Sequence, residues 1–380
     1  MQPPLERAGA RSAPEHGKVV DTRIFPPIYP WSAFDSRRWI EAHRGLIVPH
    51  DLSERVGLHC QTEALKCRLL SESDRVNFDR VGILQGDFVP LDDGLMLIDR
   101  EGGYLMVNFP AEPNVGYVPY NKANRRDVWD YAQSVRDVWD QIPVIENAAI
   151  FSHAYATNYY HFCLEFLQKF RLIEPFDVTT IAMPSMIYEG GVYRELIERV
   201  LGRRIVVATN QPMRLRNPVV AEAHQSDEAL RWLRHLAGET VQPQGRRYYI
   251  RRSPLIPRVG NNISENADFL EFLRRHSFEV VDFGNGELPV REQIGKLKGA
   301  SIILAAHGAG LTNLAYLNAP VRIIEVFSRS VIAQSFMQIS AALGFEHHAI
   351  ISEQLDGEAN VVVDCDLLDR LVSAEVASRA

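Results

Sequence analysis

Two short stretches of this 380-residue chain carry residue types that can do chemistry. One is SHAYATNYYHFCLEFLQKF, residues 152–170. At about 100° per residue, Thr157, Asn158, His161, Glu165 and Gln168 share one narrow face of a helix expected from Thr157 to Ile173. Tyr159, Phe162, Cys163, Phe166, Leu167, Phe170 and Ile173 cover most of the rest. A helix so largely apolar is buried, and its polar stripe then needs a cleft wall or a buried partner. Glu165, one turn beyond His161, can hold the imidazole in one tautomer and raise its basicity, as in a general base. The alternative is a core histidine satisfied by a nearby carboxylate. His153 lies just past the preceding strand and can join either group. The three lack the His-Glu-x-x-His spacing of a zinc helix, and no metal is expected there.

The other stretch is AAHGAGLTN, residues 305–313, after the apolar run Ser301-Ile302-Ile303-Leu304. Gly308 and Gly310 let the backbone turn tightly and approach a ligand closely. A helix starting there points its free N–H groups at an anion, and Thr312 and Asn313 can cap it or bond a phosphate. The alternative is a plain strand-to-helix turn. The third glycine of a Rossmann fingerprint is missing, as is the Gly-Lys-Ser/Thr of a Walker loop. Glu325, near the end of the next strand, is placed to accept ribose hydroxyls. Arg251 and Arg252, closing RRYYIRR, can neutralise a diphosphate. Each fits a solvated strand end if taken alone, but three strand ends together favour a nucleotide.

The elements that must position these groups alternate. VIENAAIF, TTIAMPS and RRIVVAT read as strands around helices at Thr157–Ile173 and Val192–Leu201. A polar stretch, GETVQPQG, separates them from a second series. That series has strands RRYYIRR, FEVVDFG, SIILAAH and VRIIEVF, with helices at Glu265–Arg275, PVREQIGKLKG, from Gly310 and at about Val331–Leu343. Such order predicts an α/β fold with parallel sheets covered on both faces. Ligands then bind beyond the carboxyl ends of the strands. Upstream, VGILQGDFVPL and LMLIDREGGYLMVNF read as short strands, with a hairpin turn at Glu101-Gly102-Gly103.

The net charge of −7 excludes a general nucleic-acid binder, which needs a basic surface. Cys60, Cys67, Cys163 and Cys365 are too scattered for a zinc pattern and read as thiols in a reducing compartment. The N-terminal residues lack the apolar core of a signal peptide, and no apolar run reaches membrane-spanning length. The expected location is cytoplasmic, with peripheral contact at the inner membrane surface left open.

NYYHFCLEFLQKF, the Ile-x-Arg strand end, the Glu-Gln helix, HGAGLTN and the Ile-Glu strand, in that order, resemble glycosyltransferase family 61. The resemblance covers about 145–330 and more faintly the first hundred residues. Two departures are Ser264-Glu265-Asn266, where the pattern has Asn-Glu, and His276-Ser277-Phe278, where it has Gly-Phe. The resemblance implies a GT-B architecture, two Rossmann-like α/β domains facing across a cleft with a small β-rich N-terminal segment. It implies inverting transfer of a sugar from a nucleotide diphosphate sugar, commonly a UDP-sugar, to a glycan or glycoconjugate, in capsular, exopolysaccharide or lipopolysaccharide synthesis. The expected layout is a flexible leader (1–30), an acceptor-side domain (31–237) with a β-rich segment at 78–110, and a linker (238–245). A donor domain (246–352) and a tail (353–380), whose helix packs back on the N-terminal domain, complete it. His161, Glu165 or His153 supplies the base. Arg251, Arg252, His307, Gly308, Ala309, Gly310, Leu311, Thr312, Asn313 and Glu325 hold the donor nucleotide, His307 as a positioning group. Asn158, Tyr160 and Glu265 line the acceptor side or cleft. No cofactor is required and a divalent metal is not expected. The alternatives are a non-catalytic sugar-nucleotide binder and a nucleotide-dependent oxidoreductase, for which Glu325 follows Gly310 too closely.

Overall fold

The computed structural model describes residues 56–60, 80–91, 94–101, 104–106, 126–153, 155–189, 191–223, 225–238, 242–252, 262–284, 288–318, 320–329 and 333–374. The expected leader and most of the polar stretch before residue 126 lie outside them. Three sheets organise the described residues. In the C-terminal half, six parallel strands run in the order Val56–Cys60, Glu346–Ser352, Arg322–Ser328, Gly299–Ala306, Pro243–Arg251 and Phe278–Asp282. The chain steps from Pro243–Arg251 to one side, then returns to Gly299–Ala306 on the other. The crevice between those two strand ends is therefore the topological switch point, where open α/β sheets bind ligands.

The N-terminal half holds a second sheet, with Val219–Glu222, Ala148–Ile150, Thr180–Met183 and Ile205–Ala208 parallel and Arg80–Ile83 antiparallel at its edge. A third, mixed sheet joins Tyr104–Met106, Met96–Ile98, Asp87–Leu91, Arg214–Arg216 and Val144–Ile145. The expected strand VIENAAIF is thus two strands in two sheets. The break falls at Asn147, which takes a left-handed φ of 51° and turns its carbonyl onto the N–H groups of Thr179 and Thr180. Asparagine tolerates that conformation better than most residues.

Three further expectations change. Val56–Cys60, placed by sequence in the N-terminal domain, extends the C-terminal sheet by pairing with Glu346–Ser352. The tail helix, Cys365–Ser373, does not pack on the N-terminal half. Leu368, Leu371 and Val372 bury against Phe269 and Phe272 of the Ala267–Arg275 helix, and Asp369 bonds Arg275 and His276. The expected linker is shorter too, since Gly238 ends a helix with φ 71° and a strand has begun by Pro243. The departure at Ser277 has a physical reading. Ser277 adopts φ 55°, the backbone conformation that the glycine of the family pattern takes without strain.

The two halves share one apolar core. It runs from Phe162, Phe166 and Leu230 through Leu311, Tyr316 and Phe336 to Ile303 and Ile323. Asn313 ties this junction together. Its Oδ1 accepts from the Tyr159 hydroxyl, and its Nδ2 donates to Gln293 and to the Gly310 carbonyl. A buried polar group that loses its partner costs about 1–3 kcal/mol. Asn313→Ala orphans two side chains from separate elements, so it is expected to lower unfolding stability by about 3 kcal/mol, read by denaturant titration.

Candidate active site

A pocket of about 190 Å³ opens at the switch point. Its floor is Arg251 and Arg252 at one strand end, then Gly308, Ala309, Gly310 and Leu311 at the other; Thr157, Asn158 and Tyr193 close it from the N-terminal half. Gly308 is extended, with φ 169°, so its lack of a side chain matters for space and not for strain. A Cβ there would lie 3.0 Å from Arg252 Nη1, which donates to the His307 carbonyl. At Gly310 a Cβ would press on Ile250 and Phe283 at 3.3 Å. The expected helix is a 3-10 helix, Ala309–Tyr316.

Several expected ligands are placed elsewhere. Thr312 and Asn313 are buried in the shared core, which removes them as phosphate ligands. Among the described residues, the Thr312 hydroxyl has no hydrogen-bond partner. Arg251 does line the pocket, but Glu265 grips its Nε and Nη2 at 2.6 and 2.7 Å. Glu265 therefore stands at the strand end of the C-terminal sheet, as the counter-charge of Arg251. Glu325 does not reach the pocket for a ribose. Its side chain is 0 % exposed, with Oε1 2.7 Å from His307 Nδ1 and Oε2 3.1 Å from His347 Nε2. Burial raises its pKa, but the two histidines outweigh that and the net shift is downward.

On the facing wall the polar stripe is only partly a stripe. Asn158 caps the helix by accepting from the Tyr160 N–H, and the helix proper begins at Tyr159. Phe162–Phe166 then forms a π turn, closed by Leu167 N–H to the Phe162 carbonyl at 2.7 Å. One residue is added to that turn, so later side chains rotate by about 100°. Gln168 leaves the stripe for this reason and is buried, bonding the carbonyls of Cys163 and Ala229. Its neighbour Lys169 is buried as well and donates to the Ser152 carbonyl.

His161 and Glu165 stay together. Glu165 Oε2 lies 2.5 Å from His161 Nδ1 and 2.8 Å from His153 Nε2. Burial alone raises the Glu165 pKa; the two imidazole contacts outweigh it and hold the carboxyl well below its ordinary range. Burial lowers the His153 pKa in spite of that partner. The tautomers follow from the contacts. His153 Nδ1 accepts from the Tyr155 N–H, so its proton sits on Nε2, facing Glu165. His161 gives its Nδ1–H to the same oxygen, which leaves a lone pair on Nε2. Among the described residues these three have ligand atoms close enough for a metal, all within 4.8 Å. Bonds of about 2.0 Å to a tetrahedral ion would hold ligand atoms about 3.3 Å apart. The observed approaches to Glu165 are shorter, at hydrogen-bond length.

Tyr160 links the walls, its ring edge-on to Phe336 and to His161 and its hydroxyl on Gln225. Tyr193, Phe283, Lys169 and His347 were not singled out from sequence. Of these, Lys169 carries a signal, being a charged residue one turn beyond Glu165 with Phe166, Leu167, Phe170 and Ile173 around it.

Fold and site together define an α/β protein with its ligand pocket at a switch point and a histidine–carboxylate pair on the opposing helix. Residues 159–324 match the family described as Glycosyltransferase 61, as the motifs imply. Glycosyl transfer, with a sugar donor and an acceptor, is the class of activity that goes with this family. A comparison with curated proteins gives no match. Among the described residues no helix is long and apolar enough to cross a membrane.

Proposed function

We propose that the chain is an inverting transferase of GT-B type, moving a sugar from a nucleotide diphosphate sugar, a UDP-sugar in the first instance, to a glycan or glycoconjugate in surface polysaccharide synthesis. The observation that carries this reading is the switch-point pocket, with the glycine turn and Arg252 on one wall and Asn158 on the other. His161 is the base. The acceptor hydroxyl gives its proton to His161 Nε2, its oxygen bonds the anomeric carbon, and the anomeric C–O bond breaks with its electron pair moving to the departing phosphate. Glu165 fixes the His161 tautomer. His153, with both nitrogens already bonded, braces Glu165. Inversion in one displacement needs no covalent intermediate, only a base and stabilised leaving-group charge.

The direct test is a ligand panel read by thermal unfolding. At a concentration of about 100 Kd, a ligand that binds only the folded state adds about 2.7 kcal/mol of stability. UDP and UDP-sugars are expected to raise Tm and NAD is not; a shift with NAD alone would refute the transferase reading.

A further inference from the structure

The proposed base, His161, is flanked by three aromatic rings. His153 stacks on it with ring centres 5.3 Å apart, Tyr155 leans on it at 5.2 Å with the planes 34° apart, and Tyr160 stands edge-on at 5.1 Å. Two of the three are committed to the protein. His153 bonds Glu165 and the Tyr155 N–H, and Tyr160 bridges to Phe336 and Gln225. Tyr155 differs from both, because it is 39 % exposed. A single exposed aromatic residue is ordinary on a protein surface. One that lies against a general base is in no ordinary place.

The turn that carries Tyr155 is held without its ring. The Tyr155 N–H donates to His153 Nδ1 at 3.1 Å, its carbonyl accepts from the Asn158 N–H at 2.8 Å, and the His153 carbonyl accepts from the Ala156 N–H. The base is held without it too, since Glu165 takes the His161 Nδ1–H and His153 stacks on the imidazole. Nor does the nucleotide pocket use it. That pocket draws Thr157, Asn158 and Tyr159 from this stretch, but neither Tyr155 nor His161 borders it. What meets the Tyr155 ring therefore comes from the solvent side and lies next to the base, which is where an acceptor must stand.

A pyranose ring has a face of C–H bonds that is apolar and slightly positive. The face of a phenol ring is apolar and slightly negative. Packing one on the other takes apolar area of both out of water and leaves the sugar hydroxyls around the rim, within reach of the neighbouring imidazole. We propose that Tyr155 is the acceptor platform: the acceptor sugar lays the C–H face of its pyranose ring on the phenol and turns one hydroxyl to His161 Nε2. This rests on the transferase reading above and adds to it the residue that selects a sugar ring over a bare hydroxyl, such as that of a serine side chain, which would use none of this surface.

The experiment is saturation-transfer NMR on the full chain saturated with UDP, with the methyl pyranosides of glucose, galactose, mannose and xylose as probes. Wild type is expected to bind at least one of them, with the strongest signals from C–H protons on one face of the sugar. By titration, Tyr155→Ala should bind that pyranoside about five- to tenfold more weakly, the worth of one aromatic face contact. Tyr155→Leu, apolar but without an aromatic face, should show the same loss and serves where the alanine variant does not fold. Tyr155→Trp should bind at least as well as wild type. A rise in Tm with UDP shows that each variant is folded. Wild type that binds UDP but none of the pyranosides overturns the inference. So does a folded alanine or leucine variant that binds them as wild type does, the result expected if the ring only braces His161. Wild type that binds no UDP overturns the transferase reading, and this inference with it.

Discussion

Glu165→Gln is expected to lower kcat by about 10²–10⁴-fold, the range for loss of a positioned general base, with UDP affinity almost unchanged. The amide keeps the shape of the carboxylate but not its charge, so it no longer favours the Nδ1–H tautomer of His161 or stabilises the imidazolium formed during transfer. Nucleotide affinity should survive because the pocket is lined by Asn158 and Thr157 from this wall, not by Glu165. Steady-state kinetics with the donor varied would separate the two effects. A variant with near-normal kcat would remove the dyad from the chemistry.

The same carboxylate shapes the acid stability of the fold. Its folded pKa lies below the ordinary value of 4.5, so its stabilising contacts are complete above that value and are lost as pH falls below it. His153 acts in the same direction. Burial lowers its pKa below 6.5, so on acidification the unfolded chain takes up that proton first. Glu165→Gln removes the first contribution, and the stability of the variant should vary less with pH below about 4.5.

Much of this site was legible because its residues lie close together in sequence. His161 and Glu165 are one helical turn apart, and the glycine turn follows an apolar strand, so helical spacing brings out the first stretch and the glycines the second. What the sequence hid depends on register and burial. Nothing local shows that Glu325 faces inward, because a strand-end carboxylate looks the same whether it meets water or a buried histidine. The partnership of His307, Glu325 and His347 needs three strands aligned, and the strand carrying His347 was not recognised at all. The π turn was equally invisible. Phe162–Phe166 is as apolar as any helical stretch, yet its extra residue turned Gln168 into the core. Thr312 and Asn313 mislead for the opposite reason: they are polar residues beside a glycine turn that lines the pocket, but the 3-10 helix carries them inward to brace the two halves.

The residue that rotation also carried inward, Lys169, supports the second large expectation. Lys169 is 0 % exposed, and its Nζ donates to the Ser152 carbonyl, one residue before His153. Burial pushes its pKa down to about 7, against the opposing pull of Glu222 and Glu165. Lys169→Met fills similar space but leaves the Ser152 carbonyl without its donor and, below about pH 7, leaves the buried Glu222 without a neighbouring positive charge. Leaving a buried polar group without its partner costs about 1–3 kcal/mol, and a loss near 3 is expected here by denaturant unfolding at alkaline pH. The pH dependence separates this account from a simple packing defect. The folded pKa lies below the unfolded value of 10.5, so from about pH 7 upward the unfolded chain holds a proton that the folded chain has released. Wild-type stability from this group therefore rises with pH across that window, and Lys169→Met lacks the rise. The gap between the two proteins should widen from about pH 7 to 10; a constant gap would mean that Lys169 serves only as filling beneath the His161–Glu165 pair.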